Sequence, residues 1–220
     1  MKKKGTGLLC AICVGMLMLT GCGGASPMEF DSREEAMEAL GSAHSVTVEG
    51  NVANTLQTGD ILADGKAAAY LKEEGFLDTT WTVSVDGSAW FYLRYVADEP
   101  VNNLEGENTG TTYGYYDGGG SCLGYAQKRL VETEILPRNY YFVFLNADGT
   151  VKDYIADEYG RYLYDYEGNE IGSAEGFMDS FLGNACHVEI NTDAPVDFMD
   201  KMALYILQFQ ELNDRYLSYQ

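Results

Sequence analysis

Residues 81–96, WTVSVDGSAWFYLRYV, contain a strong hairpin pattern. The apolar residues Trp81, Val83 and Val85 alternate with polar residues, which is typical of a strand with one buried face. The dipeptide Asp86-Gly87 follows at once and is a strong hairpin signal. The rest of the stretch then predicts a returning strand. The sequence therefore indicates an antiparallel hairpin as one unit of a β-sheet.

Two further strands are predicted upstream of this hairpin. Apolar residues occupy even positions between Val46 and Leu56, with polar residues between them. Gly59-Asp60 reads as a turn, and Ile61–Leu71 reads as one returning strand that passes through Gly65. Four antiparallel strands in chain order form a meander.

A second meander of short, tyrosine-rich strands is predicted downstream. Tyr140–Leu145 has strand composition, and Cys186–Ile190 reads as the last strand. Tyr125–Leu136 fits a short helix or a strand equally well. Turn signals separate the segments of this meander at Asp148-Gly149, Tyr159-Gly160 and Glu167-Gly168.

Helices are expected at both ends of the domain. Ser32 and Glu35 have the spacing of a capping box, and Gly41 is a natural stop. Residues 193–217 have apolar residues at three-to-four spacing, which predicts a C-terminal helix. Glu175–Leu182 also reads as a short helix.

These elements predict an α+β fold. We expect an antiparallel, curved sheet of two meanders with an N-terminal and a C-terminal helix packed on its concave face. Residues 32–220 would form a single domain. Residues 98–120 have no periodicity and are rich in Gly, Asn and Thr, so we expect a flexible loop there.

The first 21 residues have the three parts of a secretory signal peptide. Lys2, Lys3 and Lys4 form a positive n-region, and Leu8–Thr20 is a short apolar run. A spanning helix needs about 20 apolar residues, which this run does not reach. We therefore expect residues 1–21 to be removed.

The end of this leader resembles the lipobox of bacterial lipoproteins. The tetrapeptide is Leu19-Thr20-Gly21-Cys22, placed where the apolar run ends. The resemblance implies a diacylglyceryl group on Cys22, with residues 22–31 as a tether. It also implies that the mature protein is anchored by lipid on the extracytoplasmic face of the cell membrane.

The mature chain would be strongly acidic. The full chain has a net charge of −20, and loss of three leader lysines makes it −23. Nucleic acid is an unsuitable partner for such a surface because its phosphates would be repelled. A polybasic contact with anionic lipid is excluded for the same reason.

Two cysteines remain after the leader and Cys22 are set aside. Cys122 and Cys186 form an even pair in a compartment that permits oxidation. The sequence leaves two alternatives open, a disulfide between them or two thiols.

No catalytic, metal or cofactor motif is found. His187 and Glu189 share one strand face, but an exposed polar face explains this pair better than a metal site. Asn146–Gly149 lacks the acidic spacing of a calcium loop. We therefore expect a protein that is not an enzyme and has no cofactor.

The leading functional interpretation is a non-catalytic binding or interaction module. Tyrosine has a large amphipathic face suited to a protein, carbohydrate or lipid ligand. The candidate binding residues are Tyr113, Tyr115, Tyr116, Tyr162, Tyr164 and Tyr166. The alternative for these tyrosines is that they are half-buried strand residues.

A second, weaker resemblance suggests a different function. Glu34–Leu40, Val46–Leu56 and Trp81–Val96 together are similar to the helix and long strands of the LolA/LppX-like half-barrel lipoproteins. The resemblance implies a carrier of a lipid or other hydrophobic ligand, with Val46, Val48, Trp81 and Val83 lining a cavity. A hydrolase with an unrecognised acid pair is a third and less expected possibility.

Overall fold

The computed structural model describes residues 25–51, 58–75, 79–96, 108–178 and 186–218. In those ranges the chain forms a closed, twelve-stranded antiparallel β-barrel with two helices. Residues 1–21 and Cys22 lie outside the described residues, as does the first part of the predicted loop, 98–107. The helices are α1 (Arg33–Ser42) and α2 (Phe198–Ser218). The strands are β1 (Ser45–Asn51), β2 (Thr58–Ala63), β3 (Lys66–Glu74), β4 (Thr80–Val85), β5 (Ser88–Tyr95), β6 (Asn108–Asp117), β7 (Cys122–Val131), β8 (Asn139–Asn146), β9 (Val151–Asp157), β10 (Tyr162–Asp165), β11 (Glu170–Met178) and β12 (Cys186–Thr192).

The sheet is closed by its first and last strands. β1 pairs with β12 from Ser45 opposite Asn191 to Gly50 opposite Cys186, and its other side pairs with β2. The predicted α+β fold, a curved sheet of two meanders with helices packed on its concave face, is therefore wrong, because the twelve strands form one continuous meander that closes on itself. Closure gives the two terminal strands of the predicted sheet a partner, which removes the unpaired edges that an open sheet leaves.

The predicted hairpin 81–96 is confirmed, whereas the predicted single strand 61–71 is two strands. β4 and β5 meet at Asp86-Gly87. β2 and β3 meet at Asp64-Gly65, where φ is 46° and 83°. Two successive residues with positive φ form the tight turn that joins antiparallel strands. Gly65 thus turns the chain instead of bending one strand.

Three other segments differ from their predictions or settle an alternative. Residues 108–117 of the predicted loop are β6, and residues 175–178 of the predicted helix belong to β11, whereas 179–182 lie outside the described residues. The open alternative at 125–136 resolves to strand as far as Val131. In both mispredicted segments, glycines interrupt the alternation of apolar and polar residues that is typical of a strand. A Cβ on Gly176 would lie 2.6 Å from Cδ1 of Leu212, so this glycine lets α2 approach the wall.

Helix α2 occupies the barrel lumen. Its residues 200–209 are buried at every consecutive position, which requires surroundings on all sides. Every strand contributes to the hydrophobic cluster that contains this helix. At its start, Phe198 stacks on Trp90 of β5, with ring centroids 4.9 Å apart. The lumen of the barrel is thus filled by the helix.

The two ends of the barrel are different. α1 lies at the end where even-numbered strands finish, against β2, β3 and β4, and we call this the α1 end. Ser32 caps α1, because its Oγ accepts a hydrogen bond from the Glu35 amide at 3.1 Å. We call the other end, where odd-numbered strands finish, the mouth. Neither described helix has the length and hydropathy that a membrane span requires.

A second, smaller core lies on the outside of the barrel. Along β8, Phe142 and Phe144 point into the lumen, whereas Tyr141, Val143 and Leu145 point outward. The outward residues are also buried, because Leu136 from the β7–β8 connection packs over them. This explains why β8 is buried on both faces.

Candidate functional site

A concave surface surrounds α2 where the helix leaves the lumen. Two hollows of about 470 Å³ and about 260 Å³ flank its last turns, and Glu211 and Arg215 line both. We call the two hollows together the mouth groove. The other residues that line it are Thr111, Lys128, Phe142, Glu158, Tyr159, Arg161, Tyr162, Ala174, Glu175, Gly176, Leu207, Gln208, Gln210, Leu212, Asp214 and Ser218.

Two guanidinium groups hold the carboxylate at the centre of the groove. Arg161, which precedes β10, donates through Nε to Oε2 of Glu211 at 2.8 Å and through Nη2 to Oε1. Arg215, one helical turn after Glu211, donates to the same Oε1 at 2.7 Å. The Glu211 side chain is only 13% exposed. Forked pairing fixes the orientation of this carboxylate.

Two amide side chains of α2 are also held in place. Gln208 donates through Nε2 to the backbone carbonyl of Tyr159 at 2.8 Å. Oε1 of Gln210 accepts a hydrogen bond from the Tyr113 hydroxyl at 2.8 Å. Burial raises the pKa of Tyr113 to about 12, so its hydroxyl remains a neutral donor at physiological pH.

Exposed aromatic rings stand beside these polar groups. Tyr159 lies in the β9–β10 turn and Tyr162 begins β10, and they are 47% and 43% exposed. The Arg161 guanidinium lies 5.1 Å from the centre of the Tyr159 ring. On the other side of the groove, Lys128 Nζ lies 5.7 Å from the centre of the Tyr140 ring. Such cation–π contacts restrict the rings while leaving a face open.

The groove thus combines apolar ring faces with planar, pre-oriented donors and acceptors. Its cations Lys128, Arg161 and Arg215 are offset by Glu158, Glu211 and other acids, so it has no large charge of one sign. Such a surface suits an uncharged ligand with many hydroxyl groups and an apolar face. No His or Cys lines either hollow in the described residues.

The tyrosines predicted to bind a ligand are divided between the two faces of the wall. Tyr113 and Tyr115 lie in the lumen and are at most 1% exposed, so they are not surface residues. Tyr116 lies over Gly114 on the outside of the barrel, and the centre of its ring is 4.2 Å from the Arg94 guanidinium carbon. Tyr164 and Tyr166 also point outward, and the smaller core on the outside of the barrel partly buries them. Of the six, Tyr162 alone lines the groove.

The remaining predicted residues are found elsewhere. Cys122 on β7 and Cys186 on β12 are not joined by a disulfide. His187 is on the outer wall, where it stacks on Phe177 and its Nδ1 lies 3.6 Å from Oε1 of Glu49. Within the described ranges, no three His, Cys, Asp or Glu side chains converge as metal ligands would.

A hollow of similar size at the α1 end is less suited to bind a ligand. It has a volume of about 480 Å³ and is lined mostly by polar residues, which include His44 and Asp193. These two side chains pair at 3.3 Å but are 61% and 95% exposed, so the solvent screens the pair. Among the residues that the structure describes, no Tyr, Trp or Phe lines this hollow.

Most residues of the mouth groove were not predicted from the sequence. Lys128, Arg161 and Gln210 come from different elements and meet only because the helix passes through the barrel. One signal was available, since Glu211 and Arg215 have the i, i+4 spacing of an ion pair on a helix.

Comparison with protein-family models, with curated proteins and with solved structures finds no match for this chain.

Proposed function

We propose that this chain is a lipid-anchored, non-catalytic protein that binds carbohydrate in the mouth groove. One observation carries the proposal. The open rings of Tyr159 and Tyr162 stand beside carboxylate, amide and guanidinium groups that ion pairs and hydrogen bonds already hold in place. A pyranose ring has an apolar face for the aromatic rings and hydroxyl groups for the planar side chains.

Pre-orientation supports binding in preference to a structural role alone. Ordering a long side chain on binding costs roughly 0.5–1.5 kcal/mol. Glu211, Gln208 and Gln210 are already ordered, so a ligand would not need to restrict them. The absence of a His or Cys among the described lining residues, together with the neutralised Glu211, supports a binding role over hydrolysis.

The experiment uses residues 22–220 with Cys22→Ser, so that the protein is soluble without acyl chains. Binding of neutral glucose, mannose, galactose and N-acetylglucosamine tetrasaccharides is measured by titration calorimetry. We expect saturable binding of at least one of them. Tyr159→Ala and Tyr162→Ala should each weaken that binding roughly tenfold, the effect of losing one stacked ring.

The matched control is Phe177→Ala. Phe177 is 51% exposed at the mouth but lines neither hollow, so its loss should leave the affinity unchanged. Failure of every tetrasaccharide to bind would contradict the proposal, as would binding that survives both tyrosine substitutions.

The anchor at Cys22 is part of this proposal and is supported by the lipobox resemblance and the leader before it. Cells that express the chain are fed a palmitate analogue. We expect the label on the wild-type protein and not on Cys22→Ala. Label that persists in the variant would refute the anchor.

The carrier of a hydrophobic ligand remains the second candidate. A barrel is compatible with it, but Val46, Val48, Trp81 and Val83 pack in the same cluster as α2. Apolar cargo in the lumen would require α2 to leave. Lipid that co-purifies with the protein, detected by mass spectrometry, would favour this function.

A further inference from the structure

We propose that the mouth of the barrel lies against the bilayer that holds the anchor, with its exposed aromatic side chains at the level of the lipid headgroups. This inference rests on the proposed lipid anchor at Cys22. It assigns an interaction surface, the mouth rim, and its partner, the lipid surface.

The first observation is the distribution of exposed aromatic residues. All five exposed Tyr, Trp or Phe side chains of the described residues lie where strands begin or end at the mouth. They are Tyr95, Tyr140, Tyr159, Tyr162 and Phe177. The α1 end exposes the aliphatic residues Leu123 and Val151 instead. Amphipathic aromatic side chains are favoured at the membrane–water interface, where one end is apolar and the other is wet.

The second observation is the course of the N-terminal segment. Glu29 donates through its amide to the carbonyl of Ala67 at 2.8 Å, near the α1 end of β3. Ser26 donates through its amide to Oδ1 of Asp60 at 2.9 Å, in the middle of β2. Ala67 pairs with Leu62, two residues nearer the α1 end than Asp60. Followed toward its N-terminus, the segment therefore runs down the wall toward the mouth.

This course limits where the anchor can lie. Cys22 is four residues before Ser26, and four extended residues span at most about 14 Å. Thr58, at the mouth end of β2, is two residues from Asp60, a distance of about 7 Å along the strand. The acyl chains can therefore enter a bilayer that touches the mouth.

The third observation is the acidic charge of the α1 end. An aspartate stands at each of the five described strand turns of that end: Asp64, Asp86, Asp117, Asp148 and Asp165. Glu34, Glu35 and Glu38 of α1 add to them. Bacterial membranes carry anionic lipid, which this end would meet with repulsion. The mouth also contains acids, so aromatic contact and the acyl chains, not charge, must supply its attraction.

The orientation restricts the proposed saccharide. The groove opens at the same end as the rim, so its ligand must be accessible at the bilayer surface. The structure thus favours a glycan carried by a membrane component over one in free solution.

The experiment measures membrane depth at two matched positions. A nitroxide label is attached at Tyr162→Cys, the first residue of β10, or at Val151→Cys, the first residue of β9. Both positions are on the outer wall, at opposite ends of the barrel. Cys122→Ser removes the half-exposed native thiol, and buried Cys186 is kept. The acylated full-length protein is purified from the membrane and reconstituted on phosphatidylcholine vesicles.

We expect the ratio of collisions with oxygen to collisions with a water-soluble nickel chelate to be roughly fivefold higher at position 162 than at 151. Equal ratios, or a higher ratio at 151, overturn the orientation. The intact mass separates this failure from that of the anchor. A mature protein without acyl mass overturns both, whereas an acylated protein with the wrong depths overturns the orientation alone.

Discussion

Asp200, in the first turn of α2, is the most constrained charged residue of the lumen. Its side chain is fully buried, and its Oδ2 accepts hydrogen bonds from Lys152 Nζ at 2.7 Å and from the Tyr154 hydroxyl at 2.5 Å. Lys152 also pairs with Asp197 at 2.5 Å. Burial raises the pKa of Asp200 to about 6, although Lys152 opposes the shift. The cluster holds the start of α2 against β9.

Lys152→Met tests this cluster. The folded-state pKa of Asp200 exceeds its ordinary value of 3.8, so the folded state binds the proton more tightly. The contribution of Asp200 to stability is therefore present below about pH 4 and is lost as pH rises through about 6. Removing Lys152 leaves a buried carboxylate unpaired, which should cost about 3 kcal/mol at pH 8. At pH 5 the cost should be clearly smaller, because Asp200 is then largely protonated.

Urea unfolding at both pH values measures the difference. The control is Lys72→Met, which breaks an exposed ion pair with Glu74 and should change stability little at either pH. If Lys152→Met lost the same free energy of unfolding at pH 5 and pH 8, the lysine would not act by pairing with Asp200.

At the scale of elements, local patterns predicted structure where partners are close in sequence. The alternation and the Asp86-Gly87 turn were enough for β4 and β5, and the Ser32 cap was enough for α1. The β1–β12 pairing joins residues about 140 positions apart, and no local pattern encodes it. An open sheet and a closed barrel have the same alternation along each strand.

The position of α2 was hidden by its polar residues. Lys201 and Gln208 gave the helix an amphipathic pattern, which predicts packing on one face of a sheet. In the lumen their polar ends still find partners. Lys201 donates to the carbonyl of Ala43 at 2.6 Å, and Gln208 donates to that of Tyr159. The mouth groove depends on this position, so the sequence could not reveal it.

Gly160→Ala tests the contact between the β9–β10 turn and α2. Gly160 has a φ of 65°, and a Cβ there would lie 2.8 Å from Cβ of Leu207. Backbone strain and overlap with the helix should together cost about 2 kcal/mol of the free energy of unfolding. Gly118→Ala is the control, because nothing lies within 4 Å of a Cβ there. Thermal melts compare the two, and similar melting temperatures would contradict the contact.

In the whole molecule, closure of the barrel and filling of its lumen by α2 stabilise each other. The lumen-facing side chains of every strand belong to the same hydrophobic cluster as α2. An empty lumen would leave dry cavities that cost stability in proportion to their volume. We therefore expect the barrel and α2 to unfold as one unit, although the many long-range strand pairs should make folding slow.

Unfolding followed by two probes tests whether the barrel and α2 unfold together, and it also separates the two candidate functions. In a Trp81→Phe variant, Trp90 is the single tryptophan, and it stacks on Phe198 at the start of α2. Its fluorescence reports the departure of the helix, and far-ultraviolet circular dichroism reports the secondary structure of the whole chain. We expect both signals to give one urea midpoint, as a two-state transition requires. If the fluorescence changed at a lower urea concentration, α2 would leave an intact barrel. A lumen that opens in this way would contradict the filled core and would favour carriage of a hydrophobic ligand, because the space vacated by the helix is lined by apolar side chains.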